Sequence, residues 1–196
     1  MKLLFIYLFP LFSFWYSLPD EQKWLVDEQS VLVIHGKTNI NQFECKLPSK
    51  KERDTLLIKA FTNTALKFDR GKVKIDPQVF NCGNEFIKRD FLETLKADEY
   101  PYIYINFVDI YFNDLESSAD SEAEGNVKIY ICGVTNSYPI DFIIERKENG
   151  KMSLIGEKEL KLSEFNIKTP SKMMGLIKVS DEIKIQFNLL LSRFEN

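Results

Sequence analysis

Apolar and polar residues alternate along most of this 196-residue chain. Ile183, Ile185, Phe187, Leu189 and Leu191 are set against Lys184, Gln186, Asn188 and Ser192. Ile140, Phe142 and Ile144 oppose Asp141 and Glu145, and Ile129 and Ile131 oppose Lys128 and Tyr130. A period of two sends successive side chains to opposite faces of a strand, so each run predicts one dry face and one wet face. The same pattern predicts strands over 30–34, 37–46, 55–63, 72–79, 102–112, 126–133, 138–146, 151–162 and 182–194. The connections suit antiparallel hairpins. Lys147 to Gly150 contains the Asn-Gly pair that accepts the positive φ of a tight turn, while 69–71 and 133–136 suit slightly longer turns. The run 113–125 is acidic and rich in small residues; it lacks the ligand spacing of a calcium loop and reads as a solvated hairpin tip.

One segment breaks the period. Ile87, Phe91 and Leu95 recur every four residues, which predicts a helix between two strands. Asn84 can accept from the first free helix N–H groups, Glu85 suits the positive end of the dipole, and Tyr100-Pro101 returns the chain to an extended path. Eight or nine antiparallel strands with one helix make an all-β domain. The pattern leaves a β-sandwich and an up-and-down barrel equally open.

The first residues change where such a domain is expected to work. Met1-Lys2 precedes an apolar run from Leu3 to Tyr16, too short to span a bilayer and interrupted by Pro10. The run predicts a signal peptide over 1–17, a mature domain over 18–196, and a periplasmic or secreted location. Loss of Lys2 takes the formal charge from −3 to −4. A mildly acidic chain without a basic stripe excludes nucleic-acid binding.

Cysteines and carboxylates carry little sign of chemistry. Cys45, Cys82 and Cys132 show no CxxC spacing. A Cys45–Cys82 disulfide is expected, with Cys132 a buried strand thiol; three reduced, buried cysteines are the open alternative. His35 is the one histidine, which excludes a His-based triad and a His-rich metal site, and it reads as a hydrogen-bonded strand residue. Carboxylate pairs such as Glu157 with Glu159 and Glu116 with Asp120 fall near turns or on wet faces, as solvated pairs do. No catalytic residue, metal ligand or cofactor is assigned, and the chain is expected not to be an enzyme.

Four ordered stretches resemble the YceI-like family of exported, lipocalin-like barrels. They are Ser30 to Gly36 with Thr38 to Phe43; Lys88 to Pro101 with Ile103, Ile105 and Phe107; Ile129 to Thr135, with Asn136 where lysine is frequent; and Leu160 to Pro170 with Gly175 to Ile185. The resemblance implies an eight-stranded antiparallel barrel whose lumen holds an apolar lipid, of isoprenoid or fatty-acid type, without altering it. On that reading the lining comprises Ile103, Ile105, Phe107, Ile129, Ile131, Ile140, Phe142, Ile144, Ile185, Phe187 and Leu189. Phe91 joins them from a helix acting as flap or plug. No charged residue is placed on the lining to meet a lipid headgroup. Met173-Met174 are expected either at a mouth of the barrel or anchoring a loop. The partners implied are the lipid itself, a membrane surface for exchange and a second copy of the chain. The competing reading is a structural or adhesive domain that meets a partner through Tyr102, Tyr104 and Tyr130 on its outer face.

Overall fold

A computed structural model describes residues 22–49, 53–113, 120–147, 150–172 and 176–194. The expected leader, Met173-Met174 and Glu116 lie outside these residues. Among the described residues thirteen strands and one helix run β1 (Gln22–Val26), β2 (Val31–Lys37), β3 (Gln42–Leu47), β4 (Thr55–Phe61), β5 (Ala65–Arg70), β6 (Lys72–Ile75), α1 (Glu85–Thr94), β7 (Ile103–Phe112), β8 (Ser121–Ile131), β9 (Val134–Arg146), β10 (Met152–Lys161), β11 (Ser171–Lys172), β12 (Ile177–Lys178) and β13 (Glu182–Arg193). Short 3-10 turns occupy Pro77–Val79 and Leu162–Phe165.

Eight staves make a closed antiparallel barrel. Three of them consist of two strands lying end to end: β1 with β2 along β13, β3 with β4 along β2 and β1, and β5 with β6 along β7. The ring closes at β13, which pairs with β2 through Lys184–Asn188 and with β1 through Leu191–Arg193. Closure removes the exposed sheet edges that a sandwich of these strands would keep. Two of the breaks have a local cause. Between β1 and β2 the chain turns at Asp27, whose carbonyl accepts from Ser30 N at 3.0 Å and whose side chain accepts from Gln29 N at 3.0 Å. Between β5 and β6 sits Gly71, where a Cβ would come within 2.1 Å of the Phe107 carbonyl oxygen, so only glycine lets the two backbones approach.

The sequence reading needs several corrections. β1 and β5 were not anticipated, and the strand expected over 72–79 stops at Ile75, because Asp76 and Pro77 start a 3-10 turn in which Gln78 N donates to the Asp76 carboxylate at 2.8 Å. The strand β8 begins at Ser121, inside the stretch read as loop, since Ala123 and Gly125 continue the inward alternation of Val127 and Ile129. Its hairpin to β9 turns on Cys132 and Gly133, with φ of 47° and 82°, rather than on 133–136. Two successive positive φ values mark the primed two-residue turn. Cys132 therefore lies in a turn, half-exposed, and not in a strand. The hairpin flanks Lys147 and Lys151 are hydrogen-bonded, with Gly150 at φ 70°, while the two residues between lie outside the description.

Helix α1 starts where expected: the Asn84 side chain accepts from Phe86 N at 2.7 Å and Glu85 stands in the first turn. It ends with Lys96 in the left-handed region (φ 47°) and Tyr100-Pro101 leading into β7. A disulfide joins Cys45 of β3 to Cys82, two residues before the helix cap. At the other end the Cys132 thiol donates to the Leu95 carbonyl at 2.9 Å. The helix is thus fastened at both ends across one end of the barrel, yet none of its own residues is buried.

Candidate functional site

The barrel interior is filled at one end and hollow at the other. Away from α1, Phe142 meets Phe107 at 6.3 Å and Phe187 at 5.7 Å between ring centroids, and Ile144, Leu154 and Leu191 are buried around them. Edge-to-face and tilted pairs of this kind each add about 0.5–1.5 kcal/mol beyond their burial. Phe187 has room because Gly156 faces it, where a Cβ would lie 2.5 Å from its ring.

Toward α1 the packing opens into two apolar cavities that share Leu32, Ile75, Ile105, Ile129 and Ile185. The larger, about 310 Å³, is roofed by Ile87, Phe91 and Leu95 of the helix and walled by Ile34, Phe43, Ile103, Ile131, Leu162 and Ile183. The smaller, about 80 Å³, runs on toward the filled end past Phe107, Ile140, Phe187 and Leu189. The upper volume falls at the low end of the range for small-molecule sites, and its walls are predominantly aliphatic and aromatic, with Thr38, Asn41, Gln42, Asp90 and Thr94 as their polar members.

Sequence reasoning placed ten of its twelve lining residues against these cavities: Phe91, Ile103 and Ile131 at the larger; Phe107, Ile140, Phe187 and Leu189 at the smaller; and Ile105, Ile129 and Ile185 at both. Phe142 and Ile144 border neither of the two, because they belong to the packed end. Several residues of the larger wall were not anticipated as lining, among them Leu32, Ile34, Phe43, Ile75, Leu162, Ile177 and Val179. Leu32 and Ile34 could have been found, since they alternate with Val33 and His35 along β2. Ile177 and Val179 could not, since strands of two residues carry no period.

The mouth of the larger cavity has an apolar rim. Ile40, on the turn after β2, and Leu176, before β12, are 69% and 71% exposed, and the Asn39 side-chain amide donates to the Leu176 carbonyl at 2.9 Å, which holds the two turns together. Phe86, 69% exposed, precedes the cavity residue Ile87.

The absence of charge from the lining needs correction. The ladder between β9 and β10 stops at the pair Phe142–Gly156. Pro139 lies three residues further on, toward the Cys132-Gly133 turn, and has no N–H to donate. Lys158 occupies the gap: it lies opposite Ile185, borders the smaller cavity, and donates from Nζ to the Pro139 carbonyl at 2.9 Å. The 3-10 turn Leu162–Phe165 closes the rest of the splay. Tyr138 donates to the Glu164 carboxylate at 2.7 Å, and burial together with that carboxylate pushes its phenol up to about 12. Ser163 donates from both its N–H and its hydroxyl to Asp181, whose carboxyl is held below its usual range.

On the outer face several polar and titratable groups engage one another. His35 bonds Gln186 at 2.8 Å, and Glu157 meets the Lys184 ammonium at 2.7 Å, which keeps its carboxyl below the usual range. Glu159 borders the outer face beside Glu182 and Lys184 rather than converging with Glu157 on a cleft. The outward tyrosines form a ladder, Tyr102 to Tyr104 at 6.2 Å and Tyr104 to Tyr130 at 5.5 Å, with Lys74 and Lys72 over the first two rings.

Comparison with known proteins places this geometry. The model of the YceI-like domain matches residues 35–191. Among solved structures, a polyisoprenoid binding domain from Saccharophagus degradans, implicated in plant cell wall breakdown, superposes with a TM-score of 0.63 at 12% identity, covering 89% of this chain and 100% of that one. BcnA of Burkholderia cenocepacia gives 0.57 at 16% identity over 85% and 99% of the two chains. The YCEI protein of Campylobacter jejuni gives 0.50 at 18% identity over 66% and 75%. A search of the curated proteins finds no match.

Proposed function

This chain belongs to the YceI-like domain family, and from that premise we propose that it binds one apolar lipid chain, of isoprenoid or fatty-acid type, inside its barrel and carries it without chemical change. The observation that carries the reading is the cavity of about 310 Å³ walled by aliphatic and aromatic side chains and roofed by α1. An unbranched or isoprenoid chain gains about 0.8 kcal/mol for each methylene it buries there, with no need for a directional contact. The solved relative described as a polyisoprenoid binding domain supports the same ligand class. The chain works in this reading as an exported protein, periplasmic or secreted, and takes up its lipid at a membrane surface, where Ile40, Phe86 and Leu176 around the mouth would meet the acyl region. No catalytic step is part of it.

Organic extraction of the purified protein followed by mass spectrometry tests the reading. One lipid per barrel is expected; repeated recovery of none, with added lipid also failing to bind, overturns it. The tyrosine ladder supports a second reading, an interaction domain that meets a partner through its outer face. That reading wins if Tyr102→Ser, Tyr104→Ser and Tyr130→Ser abolish a partner interaction while Ile131→Trp, which fills the larger cavity, leaves function intact.

A further inference from the structure

Lys158 is a charged residue at an inward-facing position of β10, in register with Leu154, Gly156 and Leu160. Its cross-strand neighbour Ile185 borders both cavities, so Lys158 stands at the waist where they meet. Its partners are the Pro139 carbonyl at 2.9 Å and the Tyr138 ring, whose centroid is 5.6 Å from Nζ. Neither bears a negative charge, and an ammonium has three hydrogens to donate. A cation at the wall of an apolar cavity offers an anionic ligand a charge-assisted hydrogen bond. The acidic groups that also border the smaller cavity, Asp27, Glu28 and Asp54, lie toward the opposite end. Asp27 is held there by Lys151, seven residues from Lys158 along β10, a span on the order of 20 Å.

We propose that Lys158 is the headgroup site of the barrel and that its ligand is a carboxylate-ended lipid, with the carboxylate at Lys158 Nζ and the tail in the larger cavity beneath α1. This rests on the reading of the cavity as a lipid site and selects the fatty-acid class within it. Lys74, the other cation bordering the space of about 80 Å³, lies over the Tyr102 ring on the outer face, so Lys158 offers one charge inward, which matches one carboxylate; a diphosphate would bring more charge than it can neutralise. The stem of the lysine lies along apolar wall while its head reaches the gap, the arrangement a long amphipathic side chain favours.

Binding of dodecanoic acid and of dodecan-1-ol to the delipidated full chain, measured by calorimetry at neutral pH, tests the proposal. The acid is expected to bind the wild type roughly tenfold more tightly than the alcohol, as a charge-assisted hydrogen bond provides. Lys158→Met should abolish that preference and leave the alcohol unchanged, while Lys158→Arg should retain it. Equal affinities for acid and alcohol in the wild type overturn the proposal without any variant. So does a folded Lys158→Met protein that keeps the preference, since the lysine then only braces Pro139. Binding of the alcohol without preference leaves the lipid-carrier reading standing, whereas binding of neither ligand overturns both.

Discussion

Asp27 shows how much one side chain can hold at the seam between β1 and β2. It is 7% exposed, accepts from Gln29 N and from Lys151 Nζ, and its backbone N–H donates to Leu190 of β13. The Gln29 N–H first, and the Lys151 ammonium after it, hold the carboxyl below its usual range. A folded-state value below the unfolded one, about 3.9, means stability that is fully present above that value and lost as pH falls through the folded one. Asp27→Asn is therefore expected to lower the urea midpoint at pH 7, and the gap from wild type should close as pH drops below about 4. Nothing in the hydropathy pattern marked Asp27, because beyond its turn its partners, Lys151 and Leu190, are far away in sequence. Lys158 was hidden for the opposite reason: the alternation puts it on the dry face, but a charge there breaks the rule used to find dry faces. Pro139 was the local clue, a residue without an N–H inside a strand that still pairs fully with β8 on its other edge.

At the scale of elements, α1 was legible nearly to the residue because three independent signals coincide at Asn84, at the four-residue spacing and at Tyr100-Pro101. β5 was not, since it contributes only Leu66 and Phe68 to the interior and its polar end, Asp69-Arg70, imitates a turn. β1 follows the apolar run from Leu3 to Tyr16, which masks its own pattern, and Trp24 is its one buried residue. The disulfide ties β3 to the approach of α1 across the edge where β3 has only an isolated bridge, Lys46 with Asn81. Closing a 37-residue loop contributes about 3–4 kcal/mol in the chain-entropy account. The variant Cys45→Ser/Cys82→Ser should lose stability of that order by chemical denaturation. It should also show faster amide exchange in Glu85–Thr94 than in β8 or β10, because α1 would then hang from its C-terminal end alone.

The whole molecule divides into a packed half and a hollow half, and substitutions should respond accordingly. Phe107→Ala, within the aromatic cluster, is expected to cost about 3–5 kcal/mol. Ile131→Trp, directed into the larger cavity, should cost less than about 1 kcal/mol, because it fills space instead of overpacking a core. The same tryptophan should eliminate lipid from the organic extract while Phe142→Ala, which borders neither cavity, retains it if folded. This division was not visible in the sequence: the alternation names the inward residues but not the distance between opposite walls, which depends on register and on which elements cap the ends.

The dependence of closure on β13 sets a timetable for the protein. His35 and Gln186, bonded across the seam, are 151 residues apart. At a synthesis rate of about 5–20 residues per second, roughly 8–30 s separate their emergence from the ribosome. Throughout that interval Leu32 and Ile34 have no closing strand beside them. A nascent chain of this design stays open, exposed to chaperones and to unwanted strand partners, until its final stave is delivered.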